Sequence, residues 1–128
     1  MYFNKSNSFD DNLRLAVAQS ITATDVGKDA GGTPIELDVS NHIGQNVSLS
    51  LRYSADATAD VLFTIQQSND ATFATGVLTD ECYVHSPGPA GQYAPDVIAV
   101  GVKKKYARLR AVHTAGAVSN LTAWIAAC

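Results

Sequence analysis

No stretch of this sequence approaches the roughly 20 consecutive apolar residues that a membrane-spanning helix needs, so no membrane partner is expected. Cysteine is scarce as well. Cys82 and Cys128 are the only two, without the Cys-x-x-Cys spacing of a metal or redox site, and they read as reduced thiols. Excess positive charge is also lacking: nine Lys and Arg stand against twelve Asp and Glu, for a formal charge of −3. A general nucleic-acid binder neutralises phosphates with a basic field, so nucleic acid is not an expected partner. The opening "MYFNKSNSFDDN" has no apolar h-region, so no secretory leader is expected and synthesis in a bacterial cytoplasm fits.

Catalytic patterns are missing for separate reasons. His42, His85 and His113 lie in different segments, with neither His-x-His nor His-Glu-x-x-His spacing for a metal. Asp80 and Glu81 are neighbours on the candidate strand "GVLTDECYV", and neighbours on a strand point to opposite faces. Cys82 and His85, three apart on that segment, face opposite ways and do not make a nucleophile–base pair. No Gly-x-Ser-x-Gly elbow occurs, and "DAGGTP" lacks the Lys-Ser/Thr of a phosphate loop. The expectation is a non-enzymatic protein with no catalytic residue, no metal and no cofactor.

What the chain does have is an apolar period close to two from residue 20 onward, the signal of half-buried strands. "TPIELDV" puts Ile35, Leu37 and Val39 on one face. "VSLSLRYS" does so with Val47, Leu49, Leu51 and Tyr53, leaving Ser48, Ser50 and Arg52 outside. "DVLFTIQQ" sets Val61, Phe63 and Ile65 against Leu62, Thr64 and Gln66. "YARLRAV" turns Leu109 inward with Ala107 and Ala111, and "LTAWIAA" turns Leu121, Ala123 and Ile125 inward. "SITATDV", "GVLTDECYV" and "PDVIAVGV" are weaker candidates, and "DDNLRLAVAQS" reads as one or two helical turns.

About eight antiparallel strands with one-sided alternation build an all-β, single-domain sandwich, and the varied loop lengths favour a jelly roll. With 19 alanines among its apolar residues, the core should be thin. The last two strands read as a hairpin closed by the small-residue turn "HTAGAVSN".

Three groups stand out as candidate contacts. Lys103, Lys104 and Lys105 form the strongest charge run. It reads either as protection of a strand edge or as a basic contact with an acidic protein surface. Tyr106, Arg108 and Arg110 share one strand face, beside that run. Trp124 falls on the face of its strand that should be polar, where it either covers a second side or anchors an interface.

The order of the pieces then becomes informative: "FDD", "AQSITAT", "DVG", a glycine turn, "IELDV", "DVLFTIQQSNDATF" with "GVLTD", and finally "YARLRAV" and "LTAWIA". From about residue 9 to residue 126 this pattern resembles the small capsid cement (decoration) proteins of tailed bacteriophages, of the type found in short-tailed phages of Bordetella. The resemblance implies a jelly-roll domain over 13–128, located on the outer capsid surface of the virion. It implies a homodimer, alternatively a homotrimer, that bridges neighbouring major capsid proteins. Residues 1–12 would then form an arm, with Tyr2, Phe3 and Phe9 as its apolar anchors. The "SPGPAGQYAP" loop and the lysine triplet match nothing in such proteins. The alternative is a carbohydrate-binding module on the same architecture, for which Tyr83, Tyr93 and Trp124 would supply an aromatic platform.

Overall fold

The computed structural model describes residues 13–127. Within them lie ten strands: β1 (Arg14–Ile21), β2 (Asp25–Val26), β3 (Leu37–Asp38), β4 (Asn46–Ala55), β5 (Asp60–Ser68), β6 (Leu78–His85), β7 (Gly91–Tyr93), β8 (Ile98–Gly101), β9 (Tyr106–Ala115) and β10 (Val118–Ala127). One 3-10 turn, Ser40–His42, precedes β4. Among the described residues no helix is long and apolar enough to cross a membrane.

The strands form two antiparallel sheets. The first runs β1-β10-β4, with β7 and β8 both laid along the far side of β4. The second runs β6-β5-β9, with β2 and β3 both along the far side of β9. If each doubled position is taken as one interrupted strand, eight positions remain, in the orders 1-8-3-6 and 2-7-4-5. That is a jelly-roll order, in which every consecutive pair of positions changes layer except the hairpin formed by β5 and β6.

The alternation in the sequence explains the core. Val47, Leu49, Leu51 and Tyr53 of β4 face Val61, Phe63 and Ile65 of β5 across the interior, with Leu109 of β9 and Leu121, Ala123 and Ile125 of β10. All are buried. Burying a side chain of the Leu, Ile or Phe class stabilises the fold by roughly 1.5–3 kcal/mol each. Between the strands, the sequence Asp-x-Ser/Thr recurs as a local turn. Asp38, Asp56 and Asp70 each accept the backbone N–H and the hydroxyl of the residue two positions on, Ser40, Thr58 and Thr72. These bonds favour the ionised side chain and hold all three carboxyls below the ordinary range.

Two expectations are corrected. The segment "RLAVAQSI" is strand β1, not helical turns. Its alanines suit a helix, but Leu15, Ala16 and Ile21 are buried by pairing with β10 through an irregular register. The last two strands are not a hairpin either: β9 pairs with β5 while β10 pairs with β4 and β1. The turn "AGA" therefore carries the chain from one layer to the other, and Gly116 takes a left-handed φ of 69° to make that corner. The lysine run lies outside the strands, in the connection between β8, which pairs only with β4 at an edge of the first sheet, and β9, an interior strand flanked by β5 on one side and by β2 and β3 on the other.

Candidate interaction surfaces

The backbone of the lysine run is held at several points. It leaves β8 at Gly101 and crosses to the second sheet, where the end of β5 holds its backbone. Gln67 continues the inward parity of Val61, Phe63 and Ile65, and its side chain is 1% exposed. Its Oε1 accepts the N–H groups of Lys103 at 2.7 Å and Lys104 at 3.2 Å, while its Nε2 donates to the carbonyl of Gly101 at 2.9 Å. Asn69 Oδ1 accepts the N–H of Lys105 at 3.1 Å, and the carbonyl of Lys105 accepts the N–H of Val39 at 2.7 Å. The neighbouring turn is tied in too, since Gly44 N–H donates to Val102 O and Val102 N–H to Gln45 O, both at 2.8 Å. Beside these bonds stands Ile43, an apolar side chain 48% exposed. One end of the sandwich thus carries an exposed isoleucine in the turn bonded to Val102, and three lysines whose backbone N–H groups are all hydrogen-bonded.

The other candidates do not gather at that end. Tyr106, Arg108 and Arg110 lie half-buried on the outer face of the second sheet. Tyr106 adjoins the lysines, but Arg108 is committed internally: its Nε donates to Gln66 Oε1 at 2.8 Å and its guanidinium lies 4.4 Å from the centroid of the Phe73 ring. Burial lowers the Arg108 pKa from its ordinary value, with Glu36 opposing that shift. Trp124 lies on the outer face of the first sheet, opposite Ser50 of β4 and Arg14 of β1. The Arg52 guanidinium stands 5.5 Å from its ring centroid. Tyr2, Phe3 and Phe9 lie outside the described residues.

The three aromatics of the alternative reading form no common platform. Tyr83 stacks on Phe63 at 6.5 Å on the second sheet, and Tyr93 stacks on Tyr53 at 5.7 Å on the first. Tyr93 and Trp124 line two adjoining clefts of about 500 and 300 Å³ that share Arg52 and Asn120, and Tyr83 lines neither.

A row of apolar side chains also crosses the outer face of the second sheet, where Val84, Leu62 and Val112 sit directly opposite one another on β6, β5 and β9. Val84 is 54% exposed, and β6 pairs only with β5, which leaves its outer edge open among the described residues.

The histidines are dispersed, and the described residues contain no group of three or more His, Cys, Asp or Glu able to hold a metal. Cys82 is a free thiol whose pKa is raised by burial. Its Sγ points to the carbonyl of Asp80, while His85 turns instead to Tyr53, with Nδ1 2.8 Å from the hydroxyl. Tyr53 and Tyr93 enclose that imidazole edge-on at 5.2 and 4.6 Å. Burial pushes the Tyr53 phenol well above its ordinary range.

His85 is 3% exposed, and its Nε2 is buried without a hydrogen-bond partner. Protonation would place a second N–H in that setting, so burial lowers the pKa below 6.5, against the opposing charges of Asp60 and Asp56. The unfolded chain then binds the proton more readily than the folded one. The stability this group supplies is complete above about pH 6.5 and falls as the pH drops towards the lowered folded value, by up to about 1.4 kcal/mol per pH unit. Urea midpoints should decline between pH 7 and 5 in the wild type and stay nearly level in His85→Gln, which keeps a polar partner for Tyr53. The low carboxyls of Asp38, Asp56 and Asp70 act in a separate window, below about pH 4. An equal decline in both proteins between pH 7 and 5 would show that His85 is not the group responsible.

No family model, curated protein or solved structure matches this chain.

Proposed function

We propose that this chain is a non-enzymatic capsid cement protein of a tailed bacteriophage, which binds the outside of the icosahedral head and bridges neighbouring major capsid proteins. The observation that carries the reading is the clamped lysine end. Lysines that serve only solubility need no fixed backbone, whereas a contact surface gains affinity when its loop is ordered before binding. Gln67 and Asn69 supply that order, and Ile43 adds an apolar element for the centre of the contact. The partner is an acidic surface of the major capsid protein with an apolar recess. The resemblance across residues 9–126 points the same way, and a stiff two-layer sandwich suits a bracket whose task is to hold two subunits at a fixed spacing.

Bridging needs more than one grip. The row Val84, Leu62 and Val112 beside the open edge of β6 is a second surface, suited to a copy of the same chain. A homodimer, or a homotrimer on a three-fold axis, makes each further attachment intramolecular, so weak single contacts sum to firm binding. Reversing Lys103, Lys104 and Lys105 to Glu should lower head occupancy at least about tenfold while leaving the thermal midpoint of the free protein nearly unchanged. Occupancy equal to wild type would remove the lysine end from the contact.

A further inference from the structure

The outer face of the first sheet holds polar groups that the cementing role does not use. Between Ser119 and Thr122, β10 gains a residue on β4: Ser119 pairs with Ser54 and Thr122 with Arg52, so Asn120 and Leu121 together oppose Tyr53. Leu121 goes into the core, and the extra residue, Asn120, is left exposed with a left-handed φ of 54°. Beside it, Ala18 of β1 is also left-handed, at φ 47°, and its N–H reaches the Thr122 hydroxyl at 3.3 Å. A left-handed alanine is unfavourable by roughly 1–2 kcal/mol. Bulges and such outliers gather where a strand re-aims a side chain for a purpose.

Here the purpose has a shape. Asn120 and Arg52 together line both clefts, of about 500 and 300 Å³. Ser54 and Gln92 line the larger one with them, and none of the described lining residues is acidic. A chain with a net charge of −3 thus keeps an arginine in a cleft whose described lining holds no carboxylate. The guanidinium stands 5.5 Å from the Trp124 ring centroid, and the forked donors of a guanidinium match a planar anion. The amides of Asn120 and Gln92 and the hydroxyl of Ser54 offer donors and acceptors in pairs, as vicinal hydroxyls require.

We propose that this cleft binds a sugar bearing a carboxylate, with Arg52 taking the carboxylate and Asn120, Gln92 and Ser54 the ring hydroxyls. The site is independent of capsid attachment, because it lies on a sheet face that the lysine end does not share, and it is tested on the free protein. The full chain is titrated calorimetrically with trigalacturonate and its methyl ester, and with sialyllactose and lactose. At least one acid should bind about tenfold or more tightly than its uncharged counterpart, and which acid does so names the source. Arg52→Gln should abolish that preference, and Asn120→Gly, which keeps the left-handed backbone, should weaken the acid about fivefold or more. Replacing the three lysines by Ala should change neither value. Equal binding of acid and uncharged counterpart would overturn the proposal, as would no binding at millimolar sugar, an unaltered Arg52→Gln, or displacement of the sugar by equimolar inorganic phosphate.

Discussion

Gly27→Ala should destabilise the protein by more than about 3 kcal/mol, a large share of the 5–15 kcal/mol that holds a domain of this kind together. Gly27 is buried where β1, β9 and the excursion between β2 and β3 meet. Its N–H donates to Leu109 O at 2.8 Å and its carbonyl accepts the N–H of Ile35 at 2.9 Å. A Cβ there would lie 1.9 Å from the Leu15 carbonyl oxygen and 3.2 Å from Leu109 Cβ. The nearest obstacle is backbone, so no rotamer change relieves it. The strands must part, and the bond from Val17 N–H to Lys28 O parts with them. Gly31→Ala is the control, because its Cβ would meet only the Asp29 carboxylate at 3.4 Å, and it should shift stability by less than about 1 kcal/mol. Urea denaturation of both variants checks the contrast, and a Gly27→Ala protein as stable as Gly31→Ala would refute this account of the strand crossing.

The second large effect belongs to Gln67→Leu. Leucine matches the volume and the inward-facing position, so packing is kept while the amide is lost. The N–H groups of Lys103 and Lys104 and the carbonyl of Gly101 then lose a partner together. An unsatisfied buried group costs about 1–3 kcal/mol, and water can reach part of this loop, so a total near 2–3 kcal/mol is expected. The amide hydrogens of Lys103 and Lys104 should exchange much faster with solvent. Attachment to heads should weaken as well, although every lysine is still present. Asn69→Ala removes one exposed bond and should cost less than about 1 kcal/mol. If Gln67→Leu left exchange and attachment at wild-type values, the loop would owe its shape to something other than the amide.

Gln67 also shows what was legible in the sequence. Its place in the series Val61, Phe63, Ile65 marks an amide at an inward position, and a buried amide must be hydrogen-bonded. Which backbone it would meet was not legible, because the partners lie 34 to 37 residues away. The alternation of β4, β5, β9 and β10 predicted their buried faces because period two is a local property that the sandwich then uses. The connection between β9 and β10 failed for the same reason, since a hairpin turn and an inter-sheet corner look alike in "HTAGAVSN". Strand β1 was concealed by alanines, and its irregular pairing with β10 is set by tertiary contact. The interrupted strands are two to four residues long: "SITATDV", "TPIELDV" and "PDVIAVGV" hold β2, β3 and β8, while the three-residue β7, inside the loop "SPGPAGQYAP", is too short for a period to appear. Trp124 was placed on the correct face, but its neighbour Arg52 came from a distant strand, and the bulge that exposes Asn120 has no signature in a single sequence.

The proposed role is that of a rigid bracket gripping a shell, and the thermal stability of that shell is its direct measure. On the proposed cement role, phage heads assembled without this chain should melt several degrees higher when the purified protein is added back, by mass action on the assembled state. The Lys103→Glu, Lys104→Glu, Lys105→Glu variant should give no such rise. Heads that melt at the same temperature with and without the wild-type protein would contradict the cementing role.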